Sequence, residues 1–97
     1  MWVKIHKSSS RAVIAICDND LLGKKFEQDI RELNIRESFF KGTQMSKPEV
    51  LDLMRAESSS ATFNIVGKES INLAIEAGII DKTAIKKIKG IPFIIIV

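Results

Sequence analysis

Residues 11–17, "RAVIAIC", decide the fold of the chain. From Ala12 to Cys17, alternate positions are apolar on both sides of an extended backbone. A strand with two apolar faces lies in the interior of a sheet that is covered on both sides. We therefore predict an interior strand over 11–17.

The residues before this strand have a different pattern. In "MWVKIHK", residues 1–7, Val3 and Ile5 alternate with polar or amphipathic side chains, which is typical of a strand with one buried face. Three serines at 8–10 indicate a turn. Two strands with a short connection predict an antiparallel hairpin at the N-terminus.

Two helices are predicted further along the chain. Ser46 with Glu49 three residues later forms a capping-box pattern, and Pro48 suits the first helical turn, so a helix is expected over 47–57. After a strand at 61–66, apolar residues at helical spacing predict a second helix, which should end at Gly78.

The remaining segments have weaker signals. Asp18 and Asp20 suit the start of a short helix that includes Phe26. Residues 28–45 have no regular period, and we predict strand or loop there, with a part of 30–45 joining the sheet.

The end of the chain predicts a helix followed by a strand. Asp81 can cap a last helix, in which Ile85 and Ile88 would be the apolar positions and which Gly90 would end. The apolar run at 92–97 then predicts a buried final strand.

These elements predict an α+β fold in a single domain, residues 1–97. We expect a two-layer α/β sandwich in which a mixed sheet begins with the N-terminal hairpin and the helices pack mainly on one face. If the other face is exposed, a homodimer is expected to cover it.

Composition narrows the class of protein. Hydrophobic residues make up 45% of the chain and charged residues 28%, which is typical of a globular protein. A formal charge of +3 permits a nucleic-acid partner without requiring one. A single cysteine and no export signal predict the reducing cytoplasm, and the longest apolar run is far shorter than the roughly 20 residues of a membrane-spanning helix.

Catalysis by the cysteine is not expected. Cys17 has one histidine, His6, as a potential base, but the predicted hairpin separates them by roughly 17 Å at about 3.4 Å per residue. Proton transfer requires about 3 Å. Cys17 is therefore expected to be a buried, inert thiol.

Asp18 and Asp20 have two interpretations. A D-x-D pair after an interior strand resembles a Mg²⁺ site, and ligands often bind at the carboxyl ends of strands. Because no third acidic ligand is evident, capping of a helix is the favoured interpretation. We predict no cofactor.

Candidate anion-binding residues are basic side chains and one glycine. "VGKES" at 66–70 departs from the nucleotide-binding loop pattern, but a glycine, a lysine and a helix start can hold an anion. Lysines at 82, 86 and 89 would share one face of the predicted last helix and could neutralise phosphates. The full set of candidates is Lys24, Lys25, Gly67, Lys68, Lys82, Lys86 and Lys89. A solvated surface is the alternative for each lysine.

Three blocks resemble a known family. They are "ICDNDLLGKKF" at 16–26, "NIVGKESINLAIEAGIID" at 64–81 and "IKKIKGIP" at 85–92, and together they resemble the archaeal domain-of-unknown-function family 424. The resemblance implies a small cytoplasmic protein with a two-layer α/β fold. It implies no established activity, cofactor or catalytic residue.

The leading hypothesis is a non-catalytic accessory module that binds RNA or a ribonucleoprotein. The alternatives are a small metal-dependent enzyme that uses Asp18 and Asp20, and a protein-interaction subunit that dimerises. The last strand, with "FIIIV" at 93–97, is expected to be either central in the sheet or covered by a second subunit.

Overall fold

A computed structural model describes residues 1–95. The strands are β1 (Trp2–His6), β2 (Ala12–Cys17), β3 (Lys25–Gln28), β4 (Arg31–Asn34), β5 (Thr43–Gln44), β6 (Ala61–Val66), β7 (Lys86–Ile88) and β8 (Ile91–Ile95). The α-helices are α1 (Glu37–Phe40), α2 (Lys47–Glu57) and α3 (Lys68–Ala77), and two single 3₁₀ turns occupy Asn19–Leu21 and Lys82–Ala84. The predicted α+β class is confirmed.

Six strands form one mixed sheet in the order β5-β1-β2-β6-β8-β7, while β3 and β4 form a separate hairpin. The β1–β2 pair is antiparallel, with Trp2 opposite Cys17 and His6 opposite Val13, and it confirms the predicted N-terminal hairpin. β2 and β6 pair in parallel, and β8 lies between β6 and β7. The described part of the last strand is therefore interior, which agrees with the predicted central position in the sheet. Residues 96 and 97 lie outside the described range.

The sheet is covered on both faces. α2 and α3 pack on one face over a cluster that includes Ile14, Ile16 and Ile65. On the other face, α1 and the β3–β4 hairpin cover Cys17 and Val66. The longer helices thus lie on one face, as predicted. Because the second face is largely covered within the chain, the condition for a covering dimer is met only in part, and the homodimer remains a prediction.

Local signals predicted the ends of the two long helices correctly. The Ser46 side chain accepts a hydrogen bond from the Glu49 amide, and the Glu49 carboxylate accepts one from the Ser46 amide, which completes the capping box of α2. α3 ends at Gly78, which adopts the left-handed conformation (φ 74°) that glycine tolerates best. No helix in residues 1–95 has both the length and the apolar character needed to cross a membrane.

The predicted last helix is wrong. After one 3₁₀ turn, in which the Asp81 side chain accepts from the Thr83 amide, the chain forms β7 and then a two-residue turn into β8. Ile85 packs on the α2–α3 face of the sheet and Ile88 on the opposite face, which one helical stripe would not allow. At the turn, Lys89 (φ 52°) and Gly90 (φ 78°) both have positive φ, as a type I′ hairpin requires.

Two further expectations need correction. The segment after Asp18 forms only the 3₁₀ turn Asn19–Leu21, and Phe26 lies in β3 and not in a short helix. Residues 28–45 are not only strand or loop, because Glu37–Phe40 form α1, while Thr43–Gln44 joins the main sheet as predicted. The rest folds over the sheet, because Leu33, Ile35 and Phe40 are buried against its second face.

Candidate functional site

The candidate site lies where the two parallel strands end. Cys17 and Val66 are paired, so Asp18 and Gly67 leave the sheet side by side, and the Asp18 amide donates to the Val66 carbonyl at 3.1 Å. β8 starts at the same end, since the Gly67 amide donates to the Pro92 carbonyl at 2.9 Å. We call this end of the sheet the carboxyl edge: Asp18, Asp20, Gly67, Lys68 and the turn Lys89–Gly90. Ligands of α/β sheets often bind at such an edge.

Asp18 caps α3 from the neighbouring strand. Its side chain is buried, with 5% relative exposure. Oδ1 accepts from the Ser70 amide at 2.8 Å and from Ser70 Oγ at 2.6 Å, and Oδ2 accepts from the Glu69 amide at 3.1 Å. The carboxylate thus occupies the amides that a helix N-terminus offers to an anion. Capping is the correct interpretation of Asp18, although the capped helix is α3 and not the short one predicted beside it.

Gly67 makes room for this carboxylate. It has φ 111° and ψ 154°, a conformation that side-chain-bearing residues rarely adopt. A Cβ atom at this position would overlap the carboxylate of Asp18. The predicted anion cradle at Gly67 therefore holds an anion that belongs to the chain itself, and contact with an external anion would depend on the neighbouring lysines.

Asp20 lies beside the cap. It is exposed, and it lines a shallow depression of about 200 Å³ together with Asp18, Leu21, Lys68 and Ile91. In residues 1–95, no three His, Cys, Asp or Glu side chains converge into a group that could hold a metal ion. Because both oxygens of Asp18 already accept hydrogen bonds, the two aspartates are poorly arranged as a Mg²⁺ site, which needs several oxygen ligands.

Basic side chains surround the carboxyl edge. Lys86 and Lys87 lie on β7, Lys89 lies in the following turn, and Lys68 opens α3; all four are exposed. Arg31 joins them through the β3–β4 hairpin, because its Nη2 donates to the Lys87 carbonyl at 3.0 Å. We call these five residues the basic group.

The hairpin that presents Arg31 is fixed to β7 by a second contact. The amide of Lys89 donates to Oε1 of Gln28 at 2.8 Å. Gln28 is the last residue of β3, directly before the β3–β4 turn. Residues 25–28 alternate between exposed and half-buried, and Leu33 is the buried residue of 31–34; a two-residue turn joins the two segments. Sequence reasoning missed Arg31, although two short segments around a two-residue turn are a hairpin signal.

The other predicted lysines are arranged differently. Lys25 forms exposed ion pairs with Glu27 (3.5 Å) and Glu32 (3.4 Å), and the hydrogen bond that it donates to Glu32, with the charges of both glutamates, raises its pKa. Lys24 is exposed just before β3. Lys82 follows the end of α3 that lies away from the carboxyl edge. The length of α3, at about 1.5 Å per residue, places that end about 15 Å from the edge. Lys82, Lys86 and Lys89 therefore do not share a helical face, although the sequence predicted that they would.

Cys17 has the environment of an inert thiol. It is fully buried, and burial, with a smaller effect from the charge of Asp18, raises its pKa to about 12. His6 lies at the other end of the β1–β2 ladder, where it stacks on Phe39 with ring centroids 4.4 Å apart. The pair therefore lacks the geometry of a nucleophile and its base.

The exposed face expected for β1 is covered by α1 and the residue that follows it. Lys4 Nζ donates to the Ser38 carbonyl at 2.8 Å, and the Lys41 ammonium lies 5.7 Å from the centre of the Trp2 ring. His6 Nε2 is 2.8 Å from the Phe39 carbonyl. Trp2, Lys4 and His6 are therefore half-buried beneath the segment that contains α1.

The comparisons with known proteins agree with this fold. The family described as "Protein of unknown function (DUF424)" matches residues 6–97. The chain belongs to the DUF424 family. Its fold is similar to the crystal structure of an uncharacterized conserved protein from Methanopyrus kandleri, with a TM-score of 0.75 and 25% identity over 96% of this chain and 86% of that chain. Among curated protein sequences, none matches the chain.

Family membership supports the fold and leaves the activity open. Neither the DUF424 description nor the similar structure names a substrate, partner or reaction. At the carboxyl edge of this DUF424 chain, the acidic cap is internal and the basic group faces solvent.

Proposed function

We propose that this DUF424 protein is a non-catalytic module that binds RNA, free or in a ribonucleoprotein, by its phosphate backbone. One observation carries the proposal: the five side chains of the basic group are exposed on β7, in the turn and hairpin next to it and at the start of α3, and within residues 1–95 none of them forms an ion pair. Lysine and arginine side chains that are free to pair with phosphates release counterions and give affinity without sequence specificity.

The elements beside this edge favour RNA over the major groove of duplex DNA. A helix that enters that groove needs a face able to approach phosphates and base edges. On α3 the exposed positions include Glu76, whose charge repels a phosphate backbone. Hairpin turns and a strand end present lysines at the surface instead, which suits a flexible backbone that can follow them.

Binding is tested by fluorescence anisotropy of a labelled single-stranded RNA over a range of KCl concentrations. The double variant Lys68→Gln with Lys87→Gln should flatten the slope of log affinity against log salt by about 1.4, since each phosphate contact on a single strand contributes about 0.7. The control Lys7→Gln with Lys82→Gln removes the same charge from exposed, unpaired lysines in the β1–β2 loop and beyond α3.

Three results would contradict the proposal: absence of binding at low salt, affinity that does not depend on salt, or equal losses in the two double variants. A hexaglutamate peptide serves as the competitor. If it displaces RNA at equal charge concentration, the edge recognises acidic chains in general and the RNA assignment is wrong.

Asp20 separates this proposal from a metal-dependent reaction. Asp20 shares the depression with Lys68, so its charge opposes phosphate binding there. Asp20→Asn should raise RNA affinity by about twofold to fivefold at low salt, as removal of one nearby repulsive charge does in a screened medium. If this variant instead abolished a metal-dependent hydrolytic activity that the unmodified protein has, the enzyme alternative would be correct.

The free, buried thiol of Cys17 is consistent with a reducing compartment. We propose the cytoplasm, where RNA and ribonucleoproteins are available. Cell fractionation with an antibody against the protein tests this assignment, and recovery in a secreted fraction would contradict it.

A further inference from the structure

A groove beside the carboxyl edge combines an apolar floor with a cationic rim. It lies between α3 and the β7–β8 hairpin and has a volume of about 320 Å³. Its apolar walls are Ile71, Ile75, Ile85 and Pro92, and its polar rim is Lys68, Asn72 and Lys87. Lys87 faces this side of the sheet because it pairs with Pro92 across the β7–β8 ladder.

The polar rim has side chains from both walls of the groove. Lys68 and Asn72 are four residues apart on α3, so they lie on one face of the helix, about one turn apart. Lys87 contributes a second ammonium group from the opposite wall. Asn72 is exposed, and its amide offers a donor and an acceptor to a group that enters the groove.

These features fit a flat group with apolar faces and polar edges, attached to an anion. The volume is at the lower end of the range of about 300–1,000 Å³ for small-molecule sites, which suits one base-sized group. The apolar walls add nothing to the binding of an inorganic anion, whereas a group with apolar faces can cover Ile75 and Ile85, the half-buried isoleucines of the groove. Bases that leave the stack are held between apolar side chains and hydrogen-bonded at their edges.

We propose that this groove holds one unstacked base of a single-stranded RNA, while Lys68 and Lys87 contact the adjoining phosphates. The inference rests on the proposed function and adds to it a strand type and a subsite. Asn72 contacts the edge of the base, and Ile71 and Ile75 contact its face.

The test compares two ligands with the same backbone. Anisotropy competition measures the affinity of a pentauridylate and of a fully abasic ribose-phosphate strand of equal length, at low salt. The unmodified protein should bind the intact strand at least about fivefold more tightly, in keeping with the affinity that one held base contributes.

Two variants test whether the groove is the source of the preference. Asn72→Phe places a large side chain at an exposed rim position, and it should abolish the preference for the intact strand. Ser9→Phe adds the same side chain to the exposed β1–β2 loop and should keep the preference. Circular-dichroism melting of both variants verifies that they fold.

The outcomes are distinguishable. Equal, salt-dependent binding of both strands would overturn the groove assignment and leave the proposed function standing. A preference that survives Asn72→Phe would likewise overturn it, because the base would then lie elsewhere. Failure of the unmodified protein to bind either strand would overturn both proposals.

Discussion

Replacing Asp18 tests whether this aspartate stabilises the fold. Asp18→Ala leaves three donors without their acceptor: the amides of Glu69 and Ser70 and the hydroxyl of Ser70. The two bonds from Ser70 are buried, and each buried donor left unpaired costs about 1–3 kcal/mol. Because the serine hydroxyl can rotate toward another acceptor, we expect a total loss of about 3 kcal/mol in the free energy of unfolding.

The loss is measured by urea denaturation followed by circular dichroism. A change of 3 kcal/mol corresponds to about 12–24 °C in melting temperature for a domain of this size, at about 4–8 °C per kcal/mol. The control is Asp20→Ala, which removes an exposed carboxylate two residues away and should change stability by less than about 0.5 kcal/mol. If Asp18→Ala were as stable as the unmodified protein, the capping role would be refuted and a functional role for this carboxylate would gain support.

Three further predictions concern local structure. Gly67→Ala should lower the free energy of unfolding by about 3 kcal/mol, because of backbone strain and overlap with the Asp18 carboxylate. Gly78→Ala, whose added Cβ atom meets nothing within 4 Å, should lower it by only about 1 kcal/mol. Equal losses in urea denaturation would contradict this difference. At pH 8, iodoacetamide should alkylate Cys17 about a thousandfold more slowly in the native protein than in urea, because a pKa of about 12 in place of 9.0 depletes the reactive thiolate. Comparable alkylation rates, measured by mass spectrometry, would contradict burial of the thiol. Glu49→Gln should lower the free energy of unfolding at neutral pH and have a smaller effect in acid, as measured by urea denaturation at both pH values. Hydrogen bonds from the Ser46 backbone amide and, second, from its side chain lower the pKa of Glu49, so their stabilisation is present above the ordinary pKa and is lost as the pH falls through the lowered one. An effect independent of pH would be the contrary result.

The sequence predicted the elements whose signals are local. Alternating polarity indicated β1, apolar residues on both faces indicated β2, and the capping box at Ser46 and Glu49 lies within four consecutive residues. The glycine that ends α3 is next to the last helical residue. In each case the stabilising contact joins neighbours in the chain, so a short window contains both partners.

The elements that sequence reasoning mistook depend on distant contacts. The capping partner of Asp18 is 52 residues away at Ser70, so nothing near Asp18 indicates which helix it caps. Ile85 and Ile88 have the three-residue spacing of a helix, and only the sheet assigns them to opposite faces. Gly90 suits the end of a helix as well as a type I′ turn.

The candidate site was predictable in part for the same reason. Lys68 could be found because it follows Gly67 at a recognisable helix start. Its association with Lys87 and Arg31 depends on the pairing of β7 with β8 and on the contact of the β3–β4 hairpin with β7. A mistaken helix at 81–89 therefore gave the wrong arrangement of lysines, although Lys68, Lys86 and Lys89 of the basic group had been selected.

The most direct test of the central claim, that the carboxyl edge binds RNA, is a titration of the ¹⁵N-labelled protein with pentauridylate, followed by amide chemical shifts in heteronuclear correlation spectra. The account predicts that the largest shifts occur at residues 67–72 and 86–90, and that they diminish as KCl is added. Unchanged spectra at low salt, or shifts centred on the β1–β2 loop or on α2, would contradict it.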